Sequence, residues 1–223
     1  LSTYVAVYLC CARALGVETG AIVRMRQVHC AGIFEAEGRG VGCHSAPFSS
    51  ACDDWPEADI AISRDPSIAL SVRVADCVPI LLGDRRTGAV AAIHAGWRGT
   101  AAGAVAAAVQ GLSRAFGSEP ADVVAAIGPS IGPCCYEVGN ELLPKFAGHP
   151  DSSRWFSRHK RPHLNLWRAT RDQLERADVP VRQIHLCALC TADHPDLFHS
   201  YRRDRTRAGR LVAAIRSRGR GQG

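Results

Sequence analysis

The chain has 223 residues, 47% hydrophobic and 22% charged, with a net charge of +6. That length can bury a real core, as one large domain or two small ones, and the balance is that of an ordinary soluble globular protein. No apolar run is long enough to cross a bilayer and no basic-then-apolar leader opens the sequence, so a membrane role is excluded and a cytoplasmic location is expected.

The predicted elements alternate between helix and strand. Residues 4–15 read as a helix stopped by Gly16, and residues 21–28 as a strand that delivers His29. From Cys30 to Pro56 the pattern dissolves into Gly, Ser, Pro and Cys, so residues 30–56 are expected to be a long loop. The β-branched run 68–74 is a strand, which 78–82 is expected to continue after an Asp76-Cys77 corner. Residues 84–88 read as a hairpin turn and 89–94 as the returning strand. An Ala-rich helix is expected over 101–116, a strand over 122–127 and a rigid loop over 128–133. A short helix over 138–146, polar loop over 148–162 and an amphipathic helix over 164–177 follow. Strands are expected over 183–189, 197–202 and 210–215, ahead of a disordered basic tail, 216–223. Interspersed helices and strands with short turns favour an α/β fold with a mixed sheet.

The positive charge is carried almost wholly by Arg; Lys145 and Lys160 are the only lysines. No basic face with aromatic or motif support accompanies it, so nucleic acid is not an expected partner. There is also no G-x-G-x-x-G and no P-loop to cradle a nucleotide. The ten cysteines lack the secretory context of a disulfide framework. Cys10-Cys11 and Cys134-Cys135 read as reduced, buried pairs, and Cys187-x-x-Cys190 as two core thiols.

The chemistry concentrates in Ala75-Asp76-Cys77-Val78-Pro79 and His94-Ala95-Gly96-Trp97-Arg98-Gly99. Each motif sits at a strand end, and one tight turn separates the strands, so a thiol and an imidazole are neighbours. With His29 they make a three-donor set with an open fourth position, the pattern of catalytic zinc. Cys30, Cys43, His44 and Cys52 compete as alternative donors, and spacing does not choose between them. Arg98, at a helix start among glycines, is a candidate anion clamp, with Arg202 and Arg203 as further candidates.

Taken in order, several segments resemble the YfiH, or laccase-domain, family. They are Gln27-Val28-His29, the two motifs around Cys77 and His94, residues 127–132, Cys135-Tyr136-Glu137-Val138 and residues 198–204. The likeness runs over roughly residues 10–215. It implies one catalytic domain over 1–223, a layered α/β sandwich similar to the catalytic domain of cytotoxic necrotizing factor. It implies zinc, with copper as the alternative, held by His29, Cys77 and His94. It also implies phosphorolysis of adenosine, inosine, guanosine and methylthioadenosine, with adenosine deamination as a second activity. The implied partners are therefore purine nucleosides and phosphate; the oligomeric state is left open. Family members usually carry an N-terminal segment with Gly-Gly-x-Ser and an Asn-Arg pair, and this chain has Val7 and Tyr8 near the place of that pair. Cys30 and the long loop after His29 are a second departure.

Two rival chemistries remain. Copper-dependent, laccase-like phenol oxidation is limited by the histidine supply: nine in all and no His-x-His, against the many that a multicopper centre needs. Metal-free hydrolysis, with Cys77 as nucleophile and His94 as base, fits the editing of peptidoglycan precursors. A binding protein without turnover is the non-enzymatic alternative.

Overall fold

The computed structural model describes residues 3–38, 55–157 and 161–219. In chain order these form α1 (Thr3–Leu15), β1 (Ile22–Val23), β2 (Ile33–Glu35), β3 (Ile60–Ser63), β4 (Ala69–Val74), β5 (Val78–Asp84) and β6 (Val90–Ala95). There follow α2 (Trp97–Ala101), α3 (Ala104–Phe116), β7 (Val123–Ile127), α4 (Leu166–Arg176), β8 (Ile184–Leu186), α5 (Tyr201–Asp204) and β9 (Leu211–Arg216).

Two mixed sheets stack between helices. The larger has the order β2-β3-β6-β5-β7-β8, antiparallel at its centre and parallel at both edges. The smaller has the order β1-β4-β9. Alternation along each strand decides which face meets which layer. Ile80, Leu82 and Ile93 point to one side of the large sheet, where Val105, Leu112, Leu166 and Leu174 of α3 and α4 cover them. Ala61, Val90 and Ala92 point to the other side, against Leu70 and Val72 of the small sheet. Tyr8 and Ala12 of α1 close the outer face of the small sheet over Ile22 and Ala69. The layer order is therefore helix, sheet, sheet, helices, the α/β sandwich that the sequence implies. With both faces covered, β6 is buried along its whole length, and it is the strand that carries His94.

Several expected elements differ, for identifiable reasons. Residues 78–82 do not continue β4: β5 belongs to the large sheet, so the chain crosses between sheets at Asp76-Cys77. The 21–28 strand is only two residues long, and Arg26 adds an isolated bridge to Glu57. The 30–56 loop contains a strand, β2, and β3 was hidden in the short run after it. The helix expected over 101–116 starts later, at Ala104, because Gly103 at φ 75° takes the left-handed conformation and separates it from α2, which ends at Ala101. Residues 140–146 form a 3-10 helix interrupted by Pro144. No strand forms over 197–202; Ser200 instead caps α5 by accepting from Arg203 N–H at 3.2 Å.

Residues 216–219 of the tail pack against the body of the fold. Arg216 donates to the carbonyls of Leu15 and Pro66, and Ser217 to that of Gly88. Residues 220–223 of the tail, 39–54 of the long loop and 158–160 of the polar loop lie outside the described residues. No described helix is long and apolar enough to cross a membrane.

Candidate metal centre and active site

Strand register builds the centre. β5 and β6 are antiparallel with Val78 opposite Ala95 and Pro79 opposite His94, so Cys77 emerges beside Gly96 at the end of the pair. β3 pairs with β6 on its other side, Ile60 opposite Ile93, which sets Asp59 against His94. His29 arrives from the segment between β1 and β2. The donor atoms of His29, Cys77 and His94 all lie within 4.8 Å of one another, and the two imidazoles meet edge to face at 4.8 Å.

Asp59 holds both histidines. Its Oδ1 is 2.6 Å from His94 Nδ1, and His94 N–H donates to the Asp59 carbonyl at 2.8 Å. Its Oδ2 accepts from the N–H groups of Val28 at 3.1 Å and Cys30 at 2.7 Å. Those two bonds fix the peptide on either side of His29, whose φ of 63° is left-handed. A non-glycine residue there costs on the order of 1 kcal/mol, and the paired N–H bonds offset it.

Asp76 performs the same service for Cys77. It too is left-handed, at φ 85°. Its carboxylate accepts from Thr191 Oγ1 at 2.6 Å and from the Arg202 N–H, and its carbonyl accepts from Ile131 N–H at 2.9 Å. Gly96 makes the room. A Cβ on it would lie 2.8 Å from Cys77 Sγ and 3.5 Å from a His29 ring carbon.

Charge is redistributed among these groups. Burial pushes the Cys77 thiol up, but hydrogen bonds from His29 and His94 and their charge outweigh it and bring its pKa down to about 7. Burial disfavours His94 as a cation, yet the bonds to Asp59 and Cys77 raise it to about 9. Asp59 is lowered to about 2, burial being outweighed chiefly by the His94 bond.

His29 and Cys77 open into a cavity of about 280 Å³, with the buried His94 behind them. Tyr136 lines one wall. Burial first, and then the Cys77 charge, push its hydroxyl up to about 12, so it keeps its proton at neutral pH. Arg202 lies over the Tyr136 ring at 5.2 Å and donates to the Glu137 carbonyl at 2.9 Å. Arg98 lies over the Trp97 ring at 4.4 Å, and Arg205 completes the cationic rim.

The structure brings together His29, Cys77, His94, Arg98 and Arg202, but not Arg203. The Arg203 guanidinium is turned away, onto the carbonyls of Thr191, Ala192 and Phe198 and the Asp204 carboxylate. Cys30 contributes its backbone N–H to Asp59, while its sulfur accepts from Gly32 N–H at 3.1 Å. Cys43, His44 and Cys52 lie outside the described residues. Asp59, Tyr136 and Arg205 are additional to the residues singled out from the sequence. Asp59 had a faint signal: an acid opening the apolar run Ile60-Ala61-Ile62.

The donor chemistry fits a metal. Asp59 occupies His94 Nδ1 and leaves Nε2 as the donor, the carboxylate–histidine arrangement that orients metal ligands. Two imidazoles and a thiolate, with no fourth His, Cys, Asp or Glu among the described residues in the cluster, make a catalytic rather than a structural set.

Fold and site together define a layered α/β protein with a His-Cys-His cluster in an arginine-edged cavity. The family model described as "multi-copper polyphenol oxidoreductase laccase" matches residues 7–218, and the chain belongs to that family. It is 40% identical over 161 residues to a purine nucleoside phosphorylase of Bacteroides thetaiotaomicron, covering 70% of this chain and 60% of that one. It is 37% identical over 205 residues to a purine nucleoside phosphorylase of Streptomyces coelicolor, covering 92% and 78%. The chain thus spans less than two thirds of the Bacteroides relative. Among solved structures, Bacillus licheniformis hypothetical protein YfiH superposes with a TM-score of 0.88 at 32% identity, covering 96% and 80%. YlmD from Geobacillus stearothermophilus gives 0.82 at 31%, covering 95% and 78%.

Proposed function

We propose that this chain is a zinc-dependent purine nucleoside phosphorylase acting on adenosine, inosine, guanosine and methylthioadenosine, with adenosine deamination as a second activity. The observation that carries the reading is the three-donor metal set, two of whose members, His29 and Cys77, line one cavity with Arg98, Arg202 and Arg205. The names of the Bacteroides and Streptomyces relatives support it.

His29, Cys77 and His94 would hold the zinc. When bound, it supplies Lewis acidity, to polarise a substrate group or to acidify water. The rest of the work belongs to the chain. Phosphorolysis transfers the ribosyl C1′ from a purine ring nitrogen to a phosphate oxygen, giving free base and ribose 1-phosphate. The attacking anion must be gathered and oriented, and the rim arginines do this. Arg202 is the best placed, because one N–H on the Glu137 carbonyl and the Tyr136 ring beneath fix its plane. The departing purine gathers negative charge, and the Tyr136 hydroxyl, protonated at neutral pH, donates toward it. Trp97 and Tyr136 give the purine an aromatic lining. In deamination, water replaces the amino group of adenosine with release of ammonia, and the same lining serves the same base.

Product chromatography with inosine and adenosine, with and without phosphate, tests this reading. Phosphate-dependent hypoxanthine or adenine supports it, and the absence of any released base contradicts it. The Cys77 pKa of about 7 beside His94 favours a second reading, metal-free cysteine hydrolysis. Activity that survives chelation and dies on thiol alkylation would select that alternative. Copper at the same three donors would instead give weak phenol oxidation.

A further inference from the structure

A second sulfur cluster lies apart from the catalytic cavity. Cys134, Cys135 and Cys190 place their sulfur atoms within 4.8 Å of one another. The C-x-x-C is thereby split: Cys187 is exposed and lines another groove, whereas Cys190 is buried and turns toward Cys134-Cys135. All eight described cysteines are free thiols, and Cys10 and Cys134 are exposed rather than buried.

The surroundings of Cys190 suit an anionic sulfur. The Gly132 N–H donates to its Sγ at 3.2 Å, a bond that favours negative charge on the sulfur. Gly132 is itself required by this packing. A Cβ on it would lie 3.1 Å from the Cys190 Cβ and 2.7 Å from the Trp167 ring.

We propose that Cys134, Cys135 and Cys190 form a second metal site, a three-thiolate site for a thiophilic d10 cation, Cu(I) or Zn(II). Sulfur atoms about 4 Å apart are what metal–sulfur bonds of about 2.3 Å produce, so the thiols need little movement. Soft thiolates select such ions. No fourth His, Cys, Asp or Glu donor among the described residues lies within 4.8 Å of all three, which suits three-coordinate Cu(I) better than four-coordinate Zn(II). Binding would clamp the turn carrying Tyr136 to the segment carrying Thr191, the hydroxyl partner of Asp76. The site therefore braces two walls of the catalytic cavity without entering it.

The test uses the full chain, reduced under anaerobic conditions, with Cys77→Ala as background so that the catalytic cluster lacks its thiolate. Cu(I) and Zn(II) are titrated separately. Native mass spectrometry counts bound ions, and differential alkylation reports each thiol. The expected result is one tightly held ion, with Cys134, Cys135 and Cys190 at least tenfold slower to alkylate when it is bound. Adding Cys134→Ser, an exposed change that the fold tolerates, should abolish both effects while circular dichroism stays unchanged. Equal alkylation of the three thiols with and without either metal would overturn the proposal. So would undiminished uptake by the Cys134→Ser protein.

Discussion

The 2.6 Å contact between His94 Nδ1 and Asp59 Oδ1 is shut away from water, with the two side chains 4% and 0% exposed. One carboxylate therefore orients His94 directly and His29 through the flanking N–H groups of Val28 and Cys30. The centre is built on this residue, although Asp59 is not among the three metal donors.

Asp59→Asn should accordingly weaken zinc binding about 10–100-fold, because the carboxylate charge that orients His94 and raises its basicity is lost. Competition titration against a chromophoric chelator measures this. An unchanged affinity would mean that Asp59 serves only the fold.

The acid limb of stability has a definite sign. Asp59 is lowered from 3.8 to about 2 in the folded chain, so its contribution is complete above 3.8 and disappears as pH falls toward 2. The urea midpoint of metal-free protein should fall through that window, and the gap between wild type and Asp59→Asn should close there.

Between pH 7 and 9 two contributions oppose each other. His94, raised from 6.5 to about 9, stabilises below 6.5 and loses that contribution as pH rises to 9. Cys77, lowered from 9.0 to about 7, contributes fully above 9.0 and loses it as pH falls through 7. Metal-free wild type should therefore show little slope across this range. Cys77→Ala should uncover a decline in the urea midpoint with rising pH. Over the same range the metal-free centre pairs a thiolate with an imidazolium, so binding displaces one proton. Zinc affinity should rise about tenfold per pH unit until His94 is neutral.

Gly96→Ala separates site from fold. The backbone at Gly96 is extended, at φ −82°, so alanine brings no backbone strain. Its Cβ, 2.8 Å from Cys77 Sγ, displaces the thiolate from the histidines. Zinc affinity should drop at least about tenfold, as for a lost or misaligned ligand contact. The Tm should change little.

The two neighbouring arginines should behave differently. Arg202→Ala should raise KM for phosphate, because the side chain edges the cavity. Arg203→Ala should lower the Tm and leave KM for phosphate unchanged, because its guanidinium bonds to three backbone carbonyls and Asp204. Steady-state kinetics beside thermal melts distinguish the two patterns.

What was legible in the sequence follows from how local each cause is. Helix α1, the β5–β6 hairpin and the closeness of the three candidate donors were legible, because periodicity, a Gly88-ended turn and donor residues beside strand ends are local patterns. Asp59 was not, because its partner His94 is 35 residues away and only the β3–β6 register brings them together. The crossing between sheets at Asp76-Cys77 is hidden in the sequence, since both halves are apolar and only the stacking of two sheets separates them. Arg202 and Arg203 look alike in sequence; the rotation of about 100° between successive helical residues sends one to the cavity and the other into a cage of carbonyls. The Cys190 cluster joins residues 55 or more positions apart, which no local spacing reveals; of the two expected core thiols only Cys190 is buried, and Cys187 is exposed.

In the proposed function, phosphorolysis depends on a metal held by His29, Cys77 and His94. The most direct measurement strips the protein with a chelator and titrates zinc back while following hypoxanthine release from inosine in phosphate. Activity should return in proportion to one zinc per chain, and should not return in Cys77→Ala. Full phosphorolysis by the stripped protein, or by Cys77→Ala, would contradict the account.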